Sequence, residues 1–378
     1  MAHLCVVAGD PSGDAHAARL VEAVRQRLPG VRLTGLGGPQ MRQAGVELLD
    51  DLTRTASIGP FDAVRHLGAF ARIRAQFARH LAQARPDAVV FVDFGDFNLP
   101  VLAPLAKRAG CRVLYYISPQ IWAWGRWRLR WVQRSVDRMI VFFAFEEQFY
   151  RDAGVPVTWV GHPLSRAAAP APARDELLQA LGLNPWRATV GLLPGSRERE
   201  IVRHLPLLLD AAERIAWHMP GAQFLIPKAA AVSREAVDAL VDRRPIDVVI
   251  CDNRMRDCLQ VMDAAIVASG TATLETALAE VPMAVVYRTS WPTYLAARLV
   301  LRVPRIAIVN VIAGREVVPE FVQHRARPDR LASAIVGLLR DPARRQAMRE
   351  ALRRVAEQLG PPGAVERAAD VVVEAVRG

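Results

Sequence analysis

Two Rossmann-like α/β domains facing a cleft, with C-terminal helices packing across, are the fold class this sequence predicts, and three observations predict it. The 378 residues exceed what one hydrophobic core supports. Short apolar runs alternate with helix-period segments along most of the chain, the pattern of parallel sheets covered by helices. That alternation pauses at the Ala- and Pro-rich stretch Ala167 to Arg174 and then restarts. The expected division is 1–168, 169–345 and a helical tail at 346–378 that crosses back to the first domain.

His3 to Val7 reads as the first strand, followed by the loop Gly9-Asp10-Pro11-Ser12-Gly13-Asp14 and a helix to about Arg27. Strand, tight loop and helix open a βαβ unit, where N–H groups of the helix start can meet a polar ligand. The glycine spacing is not that of the dinucleotide fingerprint. Val31 to Leu36 is the second strand, closed by Gly37-Gly38-Pro39. From Phe61 to Gln83, Val64, Leu67, Phe70, Ile73, Phe77 and Leu81 recur at three and four, with Arg65, Arg72, Arg74 and Arg79 between them. This basic amphipathic helix either covers the core or touches a membrane. Ile58 and Phe61, in the loop before it, favour membrane or acyl-chain contact.

Ala88 to Val92 is an unbroken apolar run, a strand buried on both faces, and it stops at Asp93 with Asp96 and Asn98 just beyond. Ligands of open parallel sheets sit outside the carboxyl ends of the strands, so these acids either meet a ligand or cap the next helix, Leu99 to Ala109. Arg112 to Ile117 is a strand that runs into Ser118-Pro119-Gln120-Ile121-Trp122-Ala123-Trp124-Gly125-Arg126-Trp127. Three of the eight tryptophans lie within six residues there, with Trp131 following and Arg126, Arg128 and Arg130 interleaved. A stacking platform for nucleic acid, a sugar or lipid surface, and a packing knot all fit that cluster. Met139 to Phe143 is a strand, Glu146 to Asp152 a helix, and Val157 to Val160 closes the half at Gly161-His162-Pro163.

In the second half Thr189 to Leu193 is a strand, and Pro194-Gly195-Ser196-Arg197 leads into a helix to about Trp217. Backbone N–H groups, the Ser196 hydroxyl and a guanidinium around one point suit a phosphate; an ordinary capped turn is the plainer reading. Further strands are Gln223 to Ile226, Asp247 to Cys251, Ala264 to Val267 and Met283 to Tyr287, and Asp329 to Arg377 is helical. The loop Ser269-Gly270-Thr271 repeats the strand-to-helix design, and Glu275 beyond it either holds a ribose diol or completes a capping box. Together the two loops read as a nucleotide diphosphate site.

The formal charge is +11, and apart from Lys107 and Lys228 the basic residues are arginine. Such a surface attracts nucleic acid, anionic lipid or phosphorylated substrates, and its sign alone does not choose. No run approaches the ~20 apolar residues of a membrane span, and Leu4 to Ala8 is too short for a signal peptide. A soluble or peripheral protein is expected. Cys5, Cys111, Cys251 and Cys258 lie in or beside apolar runs without a CxxC pair, which points to buried reduced thiols and the cytoplasm.

Taken in order, Gly9 to Asp14, Asp93 with Asp96 and Asn98, Ser118 to Trp124, Gly161 to Pro163, Leu192 to Arg197, Ser269 to Glu275 and Asn310 to Arg315 resemble the lipid-A-disaccharide synthase family over nearly the whole chain. The Ser-Pro and Trp-Ala-Trp element is highly specific to it. The resemblance implies an inverting glycosyltransferase of the two-Rossmann (GT-B) type, acting at the cytoplasmic face of the inner membrane. It would join UDP-2,3-diacylglucosamine to 2,3-diacylglucosamine 1-phosphate (lipid X) through a β(1→6) bond and release UDP. Anionic inner-membrane lipids would be peripheral partners, nucleic acid would not, and the oligomeric state stays open. Two departures stand out: Asp10 replaces the family's usual Glu, and Phe94-Gly95 replaces a small residue and a proline.

The implied chemistry is a single displacement, in which a base takes the acceptor hydroxyl proton while UDP leaves from the opposite face of the sugar. Asp93 is the expected base, at a rigid strand end and at the position of the family's essential aspartate. Arg197 is the second expected catalytic residue and stabilises the departing diphosphate with Gly195 and Ser196. Ser269, Gly270, Thr271, Glu275 and Asn310 complete the expected UDP site, Glu275 on the ribose and Asn310 lining the same cleft. Asp10, Ser12, Asp14, Asp96 and Asn98 are expected to support Asp93. Ile58, Phe61, Ser118, Trp122, Trp124, Arg126 and Trp127 are expected to face acceptor, acyl chains or membrane. No metal and no cofactor belongs to this set. Two rivals remain: another UDP-N-acetylglucosamine-dependent GT-B enzyme with a lipid-linked acceptor, and an RNA-binding module, which would need exposed aromatics along a basic groove.

Overall fold

Strands form where the sequence carries uninterrupted apolar runs, and their ends mark where the chain turns polar. The structure is a computed structural model that describes residues 2–53, 67–165, 172–300 and 305–378. Ile58 and Phe61 lie outside the described residues, as does most of Ala167 to Arg174. The chain divides into two units: Met1–Arg166 with Leu359–Gly378, and Ala167–Gln358.

Among its described residues the first unit holds seven parallel strands, β1 (His3–Ala8), β2 (Arg32–Gly37), β3 (Glu47–Asp51), β4 (Ala88–Val92), β5 (Arg112–Tyr116), β6 (Arg138–Val141) and β7 (Val157–Trp159), in the order β3-β2-β1-β4-β5-β6-β7. Side chains alternate between two cores. Leu4, Val6, Ala8, Val90 and Val92 pack with the helices Pro11–Arg27 and Ala364–Arg377, whereas Cys5, Val7, Val89, Phe91 and Tyr115 pack with Leu67–Ala84 and Ala103–Arg108. Coverage on both faces is why these strands read as continuous apolar runs, and each large side chain so buried contributes about 1.5–3 kcal/mol. β3, with the sequence Glu-Leu-Leu-Asp-Asp, is an edge strand whose acids hid it from periodicity.

Among its described residues the second unit holds six parallel strands, β8 (Thr189–Leu193), β9 (Gln223–Lys228), β10 (Val248–Asp252), β11 (Ala264–Ala268), β12 (Met283–Tyr287) and β13 (Glu320–Val322), in the order β10-β9-β8-β11-β12-β13. The helix Pro342–Glu357 belongs to it, and Arg353 pairs with Glu280 at 2.6 Å.

Each sheet reverses its winding once, between β1 and β4 and between β8 and β11. In register, Ala8 sits beside Val92 and Val267 beside Leu193. The loops Gly9 to Asp14 and Asp93 to Asn98 therefore leave neighbouring strand ends, as do Pro194 to Arg197 and Ser269 to Thr271. These are the topological switch points at which doubly wound sheets bind ligands.

The chain returns to the first unit at Leu359. His162 N–H donates to Leu359 O (2.8 Å), Ser165 Oγ to Gly360 O (2.5 Å), and Arg367 donates twice to Val160 O (2.9 and 2.7 Å). Gly161 is left-handed (φ 81°), and a side chain there would press on Leu359 O at 3.1 Å. The Gly161-His162-Pro163 motif is thus the docking point of the last helix. All four cysteines are buried free thiols.

Candidate active site

Asp93 follows β4 directly and turns the chain through two left-handed residues, Asp93 (φ 48°) and Phe94 (φ 52°). Non-glycine residues there cost about 1–2 kcal/mol each and persist only where the surroundings hold them. The Asp93 carbonyl accepts from the Tyr115 hydroxyl (2.6 Å) and the Asn98 amide (2.9 Å), and its N–H donates to Tyr116 O (3.1 Å). Pro100 and Pro104 lack amide donors, and the chain beyond runs as a short helix, a π turn at Asn98–Leu102 and only then a regular helix. Burial first, then the charge of Asp10 and, after an opposing hydrogen bond from Phe94 N–H, that of Asp96 push the Asp93 pKa up to about 6. Phe94, the departure from the family pattern, lies over Gly9, where a Cβ would come within 2.2 Å of its ring.

The supporting acids divide. Asp10 caps the first helix, accepting from Gly13 N–H at 2.8 Å, and Ser12 is exposed beside it. Asp14, expected to support Asp93, is spent elsewhere: it is 1% exposed, and its two oxygens take the N–H groups of Gly38, Gln40 and Met41 (2.8, 2.9 and 3.2 Å) at the start of the helix Pro39–Gln43. Asp96 caps nothing and instead pairs with Arg128 at 2.6 Å. Asn98 is buried, its amide spent on the Asp93 carbonyl.

The tryptophan segment sits on buried polar anchors. Ser118 does not face an acceptor: its buried hydroxyl lies 2.8 Å from the Tyr150 hydroxyl and donates to Pro119 O at 2.9 Å. Trp122 is half-buried and donates from Nε1 to Glu146 at 3.1 Å, and burial pushes that carboxyl up to about 7. Trp124 stacks beneath the Arg128 guanidinium at 3.8 Å. Arg126 is exposed near the Phe149 ring, and Trp127 is 59% exposed and edge-on to Trp131. Sequence reasoning missed Glu146, Tyr115, Tyr150 and the special place of Arg128. The one available signal was the spacing of four between Trp124 and Arg128.

In the second unit the helix Glu198–His218 begins with a capping box. Glu200 takes the N–H groups of Ser196 (2.8 Å) and Arg197 (3.3 Å), and left-handed Gly195 (φ 124°) makes room for it. The expected N–H cradle is thus filled by the protein's own carboxylate, while the Arg197 side chain, 76% exposed, and the exposed Ser196 project outward. At the other loop Gly270 occupies the N-cap of the helix Thr271–Leu278, so that helix end has no side-chain cap. The Ser269 hydroxyl donates to Ile306 O (3.3 Å), Thr271 is exposed, and Glu275 is half-buried on the second turn. Asn310, expected to line the UDP site, does not: it is fully buried, its amide donates to Val318 O (2.8 Å) and Glu320 (2.7 Å), and its carbonyl accepts from the N–H groups of Val317 (2.7 Å) and Val318 (3.0 Å). With every polar atom bonded inside the fold, it staples β13 and has nothing left for a nucleotide.

Two doubly wound parallel units, one with an acid and one with arginine and hydroxyl loops at the switch point, define a GT-B glycosyltransferase fold. MurG of Acinetobacter baumannii shares it with a TM-score of 0.61 at 15% identity, covering 99% of this chain and 100% of that one. A putative UDP-N-acetylglucosamine 2-epimerase from Listeria monocytogenes shares it at 0.60 and 13%, covering 97% and 94%, so the architecture alone does not set the chemistry. The chain belongs to the lipid-A-disaccharide synthase family: the family model described as lipid-A-disaccharide synthetase matches residues 4–375. A Geobacter sulfurreducens protein named lipid-A-disaccharide synthase is 42% identical over 371 residues, covering 98% of this chain and 96% of the relative. The family is the one the motifs resemble, and neither rival reading. Among the described residues no helix is long and apolar enough to cross a membrane.

Proposed function

We propose that this chain joins UDP-2,3-diacylglucosamine to lipid X, forming the β(1→6) disaccharide 1-phosphate and UDP with inversion. Asp93 is the base that takes the proton of the acceptor 6-hydroxyl. The observation that carries this is its position: a carboxyl on the switch-point turn, its backbone clamped by Tyr115 and Asn98 and its pKa pushed up to about 6. A base with that pKa is about ten to one ionised at pH 7 and still basic enough to accept a proton in the transition state. Arg197 and the Ser196 hydroxyl meet the departing diphosphate, since Glu200 holds the loop's N–H groups. Glu275 holds the ribose. The test is formation of the disaccharide 1-phosphate from the two purified substrates. Wild-type protein that makes none overturns the function. Asp93→Asn is expected to lose about 10²–10⁴-fold in kcat, and full activity in that variant overturns only the base.

The lipid partners suggest a peripheral site on the inner face of the inner membrane. Trp127 and Trp131, flanked by exposed Arg126, Arg130 and Arg134, have the chemistry of an interfacial anchor facing anionic headgroups. Arg128 is excluded from that role, with only 9% of its side chain exposed. Sedimentation with phosphatidylglycerol vesicles should fall for a variant with Trp127→Ser, Arg126→Glu and Arg130→Glu; unchanged sedimentation removes the anchor.

A further inference from the structure

Arg128 is the one arginine of the tryptophan segment that is folded inward. Its guanidinium lies 3.8 Å over the Trp124 ring and 5.6 Å from Trp127, and it pairs at 2.6 Å with Asp96 on the turn that follows Asp93. Left-handed Gly125 (φ 72°) clears its path: a Cβ there would stand 3.2 Å from Arg128 Nε. That Nε is buried with no hydrogen-bond partner among the described residues. A guanidinium so desolvated is held by the stack and the single carboxylate, so the pair fixes two loops against each other.

We propose that Arg128 is a positioning residue that locks the tryptophan segment to the Asp93 turn and offsets part of the Asp96 charge that Asp93 faces. The inference rests on the reading of Asp93 as the base. The groups facing Asp93 are Asp10 from the start of the first helix, Asp96 and the Phe94 N–H from its own turn, and Tyr115 from β5. Of these, Asp96 is the one paired with Arg128. Removing a positive charge beside Asp96 raises the proton affinity of Asp93, and removing Asp96 lowers it.

The test uses the full chain and two readouts: the acid limb of the kcat/KM profile, and the ¹³C-carboxyl titration of Asp93, identified by its loss in Asp93→Asn. Arg128→Met should move both midpoints up by about half a pH unit and lower kcat/KM at pH 7 about tenfold. Asp96→Asn should move both down, and the Arg128→Met, Asp96→Asn double variant should bring them back below the Arg128→Met value. Arg128→Lys, which keeps the charge without the planar stack, should hold the midpoints near wild type while the rate stays reduced. A midpoint that does not move in Arg128→Met, or a double variant that titrates like Arg128→Met, overturns the proposal. If Arg128→Met does not fold, Asp96→Asn at its exposed position decides, and an unmoved Asp93 titration there overturns it. A carboxyl titration that shifts as stated while the kinetic limb stays put supports the role of Arg128 and overturns instead the assignment of Asp93 as base.

Discussion

Replacing Glu146 by glutamine isolates the cost of a carboxylate buried under the tryptophan segment. Glu146 is 3% exposed and accepts from Trp122 Nε1 at 3.1 Å and from Phe143 N–H at 3.3 Å. Burial outweighs these bonds and pushes its pKa from 4.5 up to about 7. Between those values the folded chain keeps a proton that the unfolded chain has released. The stability contributed by this group is therefore full below pH 4.5, falls as pH rises, and is gone above pH 7. At about 1.4 kcal/mol per pH unit, the interval from pH 5 to pH 8 carries about 2–3 kcal/mol. A glutamine does not titrate. Urea unfolding followed by tryptophan fluorescence, run on Glu146→Gln and its parent at pH 5 and pH 8, should show the variant gaining about 2–3 kcal/mol relative to the parent at the higher pH. The same difference at both pH values would refute the reasoning, because the buried carboxyl would then ionise as it does in the unfolded chain.

Two further outcomes follow from polar groups sealed inside the fold. Asn310→Ala orphans the N–H groups of Val317 and Val318 and should destabilise the protein by about 3 kcal/mol, read as a lower unfolding midpoint in urea. His3 Nε2, the Thr34 hydroxyl and His80 Nε2 form a chain with 2.9 Å at each link, and burial lowers the pKa of both imidazoles. Their contribution is present above pH 6.5 and lost as pH falls below it, so the thermal midpoint should drop from pH 7 to pH 5, and less steeply in His80→Gln.

The strands nearest the site were legible because β4, β8 and β11 are buried on both faces, so the residue that breaks each apolar run marks the carboxyl edge. Asp93, the loop Pro194 to Arg197 and Ser269 were singled out in that way. Neighbourhood was not legible: nothing local says that Ala8 pairs with Val92, and the switch points appear only once the sheets are assembled. Nor does an alternation of arginines tell which one turns inward, since Arg126 and Arg128 differ only by what surrounds them. Asn310 was misplaced because a polar residue in a motif looks the same whether it serves a ligand or the backbone eight residues on. Glu200 was readable and overlooked: an acid three residues after a helix start is the signature of a capping box.

The last helix, Ala364–Arg377, packs on β4, β5 and the helix Pro11–Arg27, yet the ribosome makes it after the whole second unit. At ~5–20 residues per second, roughly 10–40 s separate the end of the first stretch from the arrival of its lid. Through that interval the nascent first unit carries an unfinished apolar face beneath the very strand that bears Asp93. The order of synthesis makes this unit the last to mature, and a chain cut short before Leu359 would keep every motif while leaving uncovered the sheet that carries those of the first unit.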